Sequence, residues 1–178
     1  MSEPEGSRRV DRIREAGYLT GLAELSIDEL RVKRDECMAE REYLSLLRRL
    51  VQGRSEILKA ELESRGTGEE AAPIVERLAT ILSADDRERG PSRGEALRVG
   101  LPEEEMLLAR RRVERLVANA GLSDPTALDD DALGKAVELM SAEERDLSET
   151  RAEVMRVLDA VQDELKRRYK DDPTLVLR

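Results

Sequence analysis

Residues 44–56 read LSLLRRLVQGRSE, and residues 147–159 read LSETRAEVMRVLD. Each stretch opens Leu-Ser, places an Arg three residues after the Ser, and puts a carboxylate eight residues after that Arg. Sliding the chain 103 residues along itself extends the echo. Ala39, Glu40, Leu44, Ser45, Arg48, Val51, Glu61, Leu62 and Arg65 meet the same residue types at Ala142, Glu143, Leu147, Ser148, Arg151, Val154, Glu164, Leu165 and Arg168. That exceeds the roughly two or three identities expected of two unrelated helices of this composition, so duplication of one helix is the favoured reading.

The apolar residues of the two stretches set the fold. Leu44, Leu47, Val51 and Leu58 are spaced three, four and seven; Leu147, Val154, Leu158, Val161 and Leu165 are spaced seven, four, three and four. Both are heptad seams. A seam this narrow is not stable alone in water, so the two long helices are expected to close on each other as an antiparallel hairpin, with homodimeric pairing as the alternative. The fold class is all-α: a long antiparallel two-helix coiled coil with shorter helices in the connection.

Start and stop signals give the boundaries. Ser26 followed by Glu29 is a capping box, so the first long helix runs from about 27 to 65, where SRGTGEE follows. Gly53 inside it is either a weak spot or a point of close approach. Ile74, Val75, Leu78, Ile81 and Leu82 predict a short helix over about 73–86, and RERGPSRGEALRVG reads as a flexible connection. Pro102 with three acids behind it opens a helix to about 120, closed by Gly121, and LSDPTALDDD is a turn. The second long helix covers about 131–169. Residues 1–24 are expected to be a flexible N-terminal segment, 25–170 a single helical domain, and 171–178 a tail.

Composition narrows the function. Of the 178 residues, 40% are charged, and Phe, Trp and His are absent, so the core must be built from Leu, Val, Ile, Ala and Met. Without His, and without a nucleophile beside a base or a phosphate loop, the chain does not read as an enzyme. The single cysteine, Cys37, rules out an intramolecular disulfide and reads as a small apolar helix residue. No stretch is apolar enough for an export signal or a membrane span, which predicts a cytoplasmic protein. A net charge of −9 argues against direct nucleic-acid binding. The basic runs Arg110 to Arg112 and Lys166 to Arg168 are therefore read as solvated helix faces.

Beside each seam runs a polar stripe. Ser45, Arg48, Gln52 and Glu56 are spaced three, four and four, and Glu144, Ser148, Arg151, Met155 and Asp159 four, three, four and four, which keeps each set on one helix face. Coiled-coil flanks normally carry long Lys and Glu; a Ser there contributes no interhelical ion pair. Single members have plainer readings. Glu144 follows Ser141 by three as in a capping box, and Arg48 and Arg151 suit flank ion pairs.

With this double stripe, and with ELSIDELRVKRDE and LRRLVQGRSEILKAELESR around it, the chain resembles the RsiG-type anti-sigma factors of actinobacteria. Their two-helix coiled coil carries a twice-repeated pattern of Glu, three residues, Ser, two, Arg, three, Gln, three, Asp, which binds the second messenger cyclic di-GMP. The second copy here has Glu144, Ser148, Arg151 and Asp159, with Met155 in place of Gln. The first has Ser45, Arg48 and Gln52, with Arg41 in place of Glu and Glu56 in place of Asp. The resemblance implies a protein that binds cyclic di-GMP as a regulatory ligand and holds a WhiG-like sigma factor away from RNA polymerase, and the duplicated helix, which supplies both strands, predicts a monomer. The residues suit that ligand: arginines pair with phosphate or guanine, serines donate to phosphate, and carboxylates accept from guanine N1–H and N2–H. Arg41 and Met155 favour a ligand-independent anti-sigma factor or adaptor as the alternative, and a structural coiled-coil scaffold is the third reading.

Overall fold

The computed structural model describes residues 5–67, 101–122 and 124–177. Among these residues the chain is helical, with no strand. Helix α1 covers Glu5–Arg14, α2 Ile27–Thr67, α3 Glu103–Asn119 and α4 Asp130–Asp171, with short 3-10 turns at Pro125–Ala127 and Pro173–Leu177. The long helices therefore lie where the heptads place them. The helix expected over 73–86 and the Gly-rich connection after it fall outside the described residues.

Local chemistry explains each boundary. At the start of α2 the Ser26 Oγ accepts from the Glu29 backbone N–H at 3.2 Å, and the Glu29 carboxylate accepts from the Ser26 N–H at 2.7 Å. A hydrogen bond from the Ser26 hydroxyl to the Glu29 carboxylate at 2.7 Å, and then the one from the Ser26 N–H, hold that carboxyl below its usual range. Helix α3 ends on Gly121 at φ 70, a left-handed position that costs glycine no Cβ clash, and the Leu122 N–H reaches back to the Val117 carbonyl at 2.9 Å. Asp124 caps the turn after it, accepting from the Thr126 N–H at 3.1 Å. Asp129 then caps α4 by accepting from the Ala132 N–H at 2.7 Å.

The chain divides into two compact units. The first contains α1, α2 up to Leu44, and α4 from Glu149 onward. Within it, Leu30 packs with Val161 and Leu165, and Arg168 donates to the Ala23 carbonyl at 2.7 Å, so the beginning of α2 lies against the end of α4. Arg31 donates to the Tyr169 hydroxyl at 3.3 Å and to the Leu175 carbonyl at 2.6 Å. That contact ties down part of the stretch read as a tail. Residues 1–24, read as a flexible segment, hold α1 and a packed Tyr18. The Tyr18 hydroxyl donates to Glu36 at 3.0 Å, while the Lys33 ammonium sits 3.7 Å from the ring centroid. Burial pushes the Tyr18 hydroxyl and the neighbouring Cys37 thiol up from their ordinary values. Cys37 is thus a buried, protonated apolar residue.

The second unit contains α2 from Ser45, α3, and α4 up to Ser148. Here the end of α2 lies against the start of α4: Arg65 donates to the Leu128 carbonyl at 2.6 Å and pairs with Asp130 at 3.2 Å. Both units show the antiparallel pairing. All nine seam residues are buried, and each buried Leu or Val contributes roughly 1.5–3 kcal/mol over leaving it exposed. Helix α3 is more than a connection, because its Ala109, Val113 and Val117 are buried as a stripe of spacing four. It leaves a cavity of about 350 Å³ against Leu47, Val51 and Leu147, rimmed by Arg112, Arg115, Asn119 and Glu143.

Candidate functional site

Six of the eight stripe residues belong to the second unit: Ser45, Arg48, Gln52 and Glu56 on α2, and Glu144 and Ser148 on α4. Helical rotation of about 100° per residue sends Arg48 and Gln52 to one side of the Leu47–Val51 seam. Helix α3 occupies the other side, where Arg112 pairs with Glu143 at 3.3 Å. The polar groove and the α3 groove are therefore opposite faces of one hairpin.

The decisive contact in the polar groove is between helices. The Gln52 side-chain Nε2 donates to the Glu144 carboxylate across the seam. It joins a member of the first stripe to a member of the second, which an antiparallel duplicate requires if the two stripes share a groove. Ser45 is 5% exposed, and Arg48, Gln52, Glu56, Glu144 and Ser148 are all partly buried. Partial burial strengthens a charged hydrogen bond while leaving the groups within reach of a ligand. Glu56 accepts from Lys59 Nζ at 3.0 Å, a partner one turn along its own helix that the sequence pattern did not single out.

The other two stripe residues, Arg151 and Asp159, belong to the first unit. They continue the face of α4 that carries Glu144 and Ser148, with Arg151 half-buried and Asp159 exposed. Two of the three departures from the repeated pattern, Arg41 and Met155, lie in this unit as well. Arg41 pairs with its neighbour Glu42 at 2.8 Å, and Met155 is half-buried on α4. The pairing of Leu30 with Val161 and Leu165 sets a register that brings positions 41 and 155 level with each other to within about a turn. A cation and a thioether therefore stand level with each other, at the positions where the pattern of the resembled family has an acid and an amide.

The family model described as RsiG-like matches residues 16–82. Over these residues the chain is similar to that family. The match takes in the packed Tyr18, the capping box and the whole of α2 with its stripe, and so less than half of the chain. The RsiG-like segment thus supplies one wall of the polar groove, and α4, outside the match, supplies the other. No curated protein matches the chain. Among the described residues, no helix is long and apolar enough to cross a membrane.

Proposed function

We propose that the chain is a regulatory binding protein: an anti-sigma factor that holds cyclic di-GMP along the polar groove and, so loaded, sequesters a WhiG-like sigma factor from RNA polymerase in the cytoplasm. The observation that carries this reading is the Gln52–Glu144 hydrogen bond, which joins an RsiG-like helix to its duplicate through two members of the repeated pattern. In this reading Glu144 accepts from the guanine N1–H and N2–H edge, and Gln52 holds its carboxylate in place beforehand, which lowers the ordering cost of binding. Arg48 and Arg151 pair with phosphate or guanine, Ser45 and Ser148 donate to phosphate oxygens, and Glu56 and Asp159 are further acceptors. Ligand and partner surfaces are coupled, so each tightens the other by the same factor.

Calorimetry of the full chain with cyclic di-GMP, at low salt and up to near-millimolar ligand, tests this, with and without a WhiG-like sigma factor. Binding heat together with ligand-dependent sigma capture is expected. Sigma capture that is indifferent to ligand would sink the gated form. Solution mass is expected to be that of a monomer, since the duplicated helix already supplies both strands.

A second reading, a ligand-independent anti-sigma factor, is favoured by Arg41 and Met155. These substitutions fall in one unit and at one level of the hairpin. Both readings are regulatory rather than catalytic.

A further inference from the structure

A second charged surface lies in the unit that contains α1, apart from the polar stripe. Glu36 and Glu40 stand one turn apart on α2, and rotation of about 100° separates Glu40 from Arg41, which lies on the stripe's side. Glu153 on α4 adds a third acid. All three are engaged by arginines of α1: Arg9 Nε meets Glu40 Oε2 at 2.5 Å, Arg12 pairs with Glu36, and Arg14 Nε meets Glu153 Oε2 at 2.6 Å. Ile13, one turn after Arg9, is buried. A basic amphipathic helix thus sits in an acid-walled groove, within a chain whose net charge is −9.

Two properties make that occupant exchangeable. A helix of ten residues is too short to persist alone in water, so α1 is helical only while docked. Of the three pairs just described, two lie at the surface, with side chains 56% and 22% exposed for Arg12–Glu36 and 47% and 38% for Arg14–Glu153. Pairs of that kind contribute little individually. The third pair selects what can replace α1. Glu40 is fully buried and paired with Arg9, so a replacement helix that brings a cation to its carboxylate is favoured over an apolar one. A replacement must bring an arginine to Glu40, another one turn later to Glu36, and an aliphatic side chain beside them.

We propose that this groove is a docking site for a basic amphipathic helix of a protein partner, and that α1 is its resident competitor, displaced when the partner binds. The proposal goes beyond the nucleotide reading and does not depend on it.

The test uses the full chain and no nucleotide. The probe is a labelled peptide that keeps the Arg9, Arg12, Ile13 and Arg14 spacing on an Ala/Gln background. It is titrated into the wild type and into a variant carrying Arg9→Ser, Arg12→Ser and Arg14→Ser. The variant is expected to bind at least tenfold more tightly than the wild type, because its own α1 no longer competes. Adding Glu36→Gln and Glu153→Gln to that variant should abolish the gain. In the wild type, saturating peptide should raise amide exchange across residues 9–14. Should the triple variant fail to fold, the wild-type exchange measurement decides alone. Equal affinity for the two proteins, or unchanged exchange at 9–14 under saturation, overturns the proposal. So does a wild-type dimer that the peptide dissolves, which would assign the groove to α1 of a second copy.

Discussion

Gln52 on α2 donates its side-chain amide to the carboxylate of Glu144 on α4, joining the two copies of a duplicated stripe across an antiparallel hairpin. A hydrogen bond to a charged acceptor is worth about 1.5–3 kcal/mol where it is shielded from water. Gln52→Ala and Glu144→Ala should each lower the unfolding free energy, and the double variant should lose less than the sum of the two. A coupling of about 0.5–1.5 kcal/mol in a urea-unfolding double-mutant cycle is expected. Additivity within about 0.3 kcal/mol would mean that the contact does not bind the helices together.

The level position of Arg41 and Met155 makes a paired repair the informative experiment. Arg41→Glu with Met155→Gln restores an acid and an amide of the kind seen at Glu144 and Gln52. If missing charged hydrogen bonds limit the ligand, cyclic di-GMP affinity should rise by about tenfold to a hundredfold, at about 1.4 kcal/mol per tenfold. Calorimetry on both forms reads this out. Unchanged affinity would show that these positions never limited binding.

Gly134 lies inside α4, and a Cβ built there meets nothing within 4 Å. Replacing it by Ala removes backbone freedom from the unfolded chain without a clash. Gly134→Ala is therefore expected to stabilise the fold by about 0.5–1 kcal/mol, seen as a higher urea midpoint with the same slope. A lower midpoint would contradict the open surroundings.

Acid sensitivity should trace in part to Glu164, whose carboxyl is held at about 2 by hydrogen bonds from Arg167 first and then Arg168, against an ordinary value of 4.5. The sign follows from the depressed value. The contribution is present above about 4.5 and disappears as pH falls toward 2. Because the group is near the surface, each pair is worth only about 0.3–0.5 kcal/mol. Glu164→Gln should be slightly less stable than the wild type at pH 6, and the two should converge by pH 2.5 in chemical denaturation. A gap that widens on acidification would reverse the assignment.

Much of the hairpin was legible in the sequence, because its signals are periodic and local. The heptad spacing of Leu44, Leu47 and Val51 and the Ser26–Glu29 capping box are read from residues within a turn or two of one another. They placed α2 and α4 to within about two residues, and the same locality placed α3 between Pro102 and Gly121. The polar stripe was legible for the same reason, since steps of three and four keep one face of a helix.

What the sequence left open concerns contacts between elements. The ten residues of α1 carry no periodic pattern long enough to predict a helix. Its structure comes from Arg9, Arg12 and Arg14 meeting acids some 24 to 139 residues away in the chain. The role of α3 as a third packed helix, with Val113 and Val117 buried, was likewise hidden, because an amphipathic stripe reveals that a face is covered and not what covers it. The sequence by itself determined that this chain forms two long helices with matching polar stripes. Only the tertiary structure decided that Gln52 meets Glu144, that Arg41 and Met155 fall at one level, and that α1 fills an acidic groove. Such pairings depend on antiparallel register and on burial, which are properties of the packed chain and of no single helix.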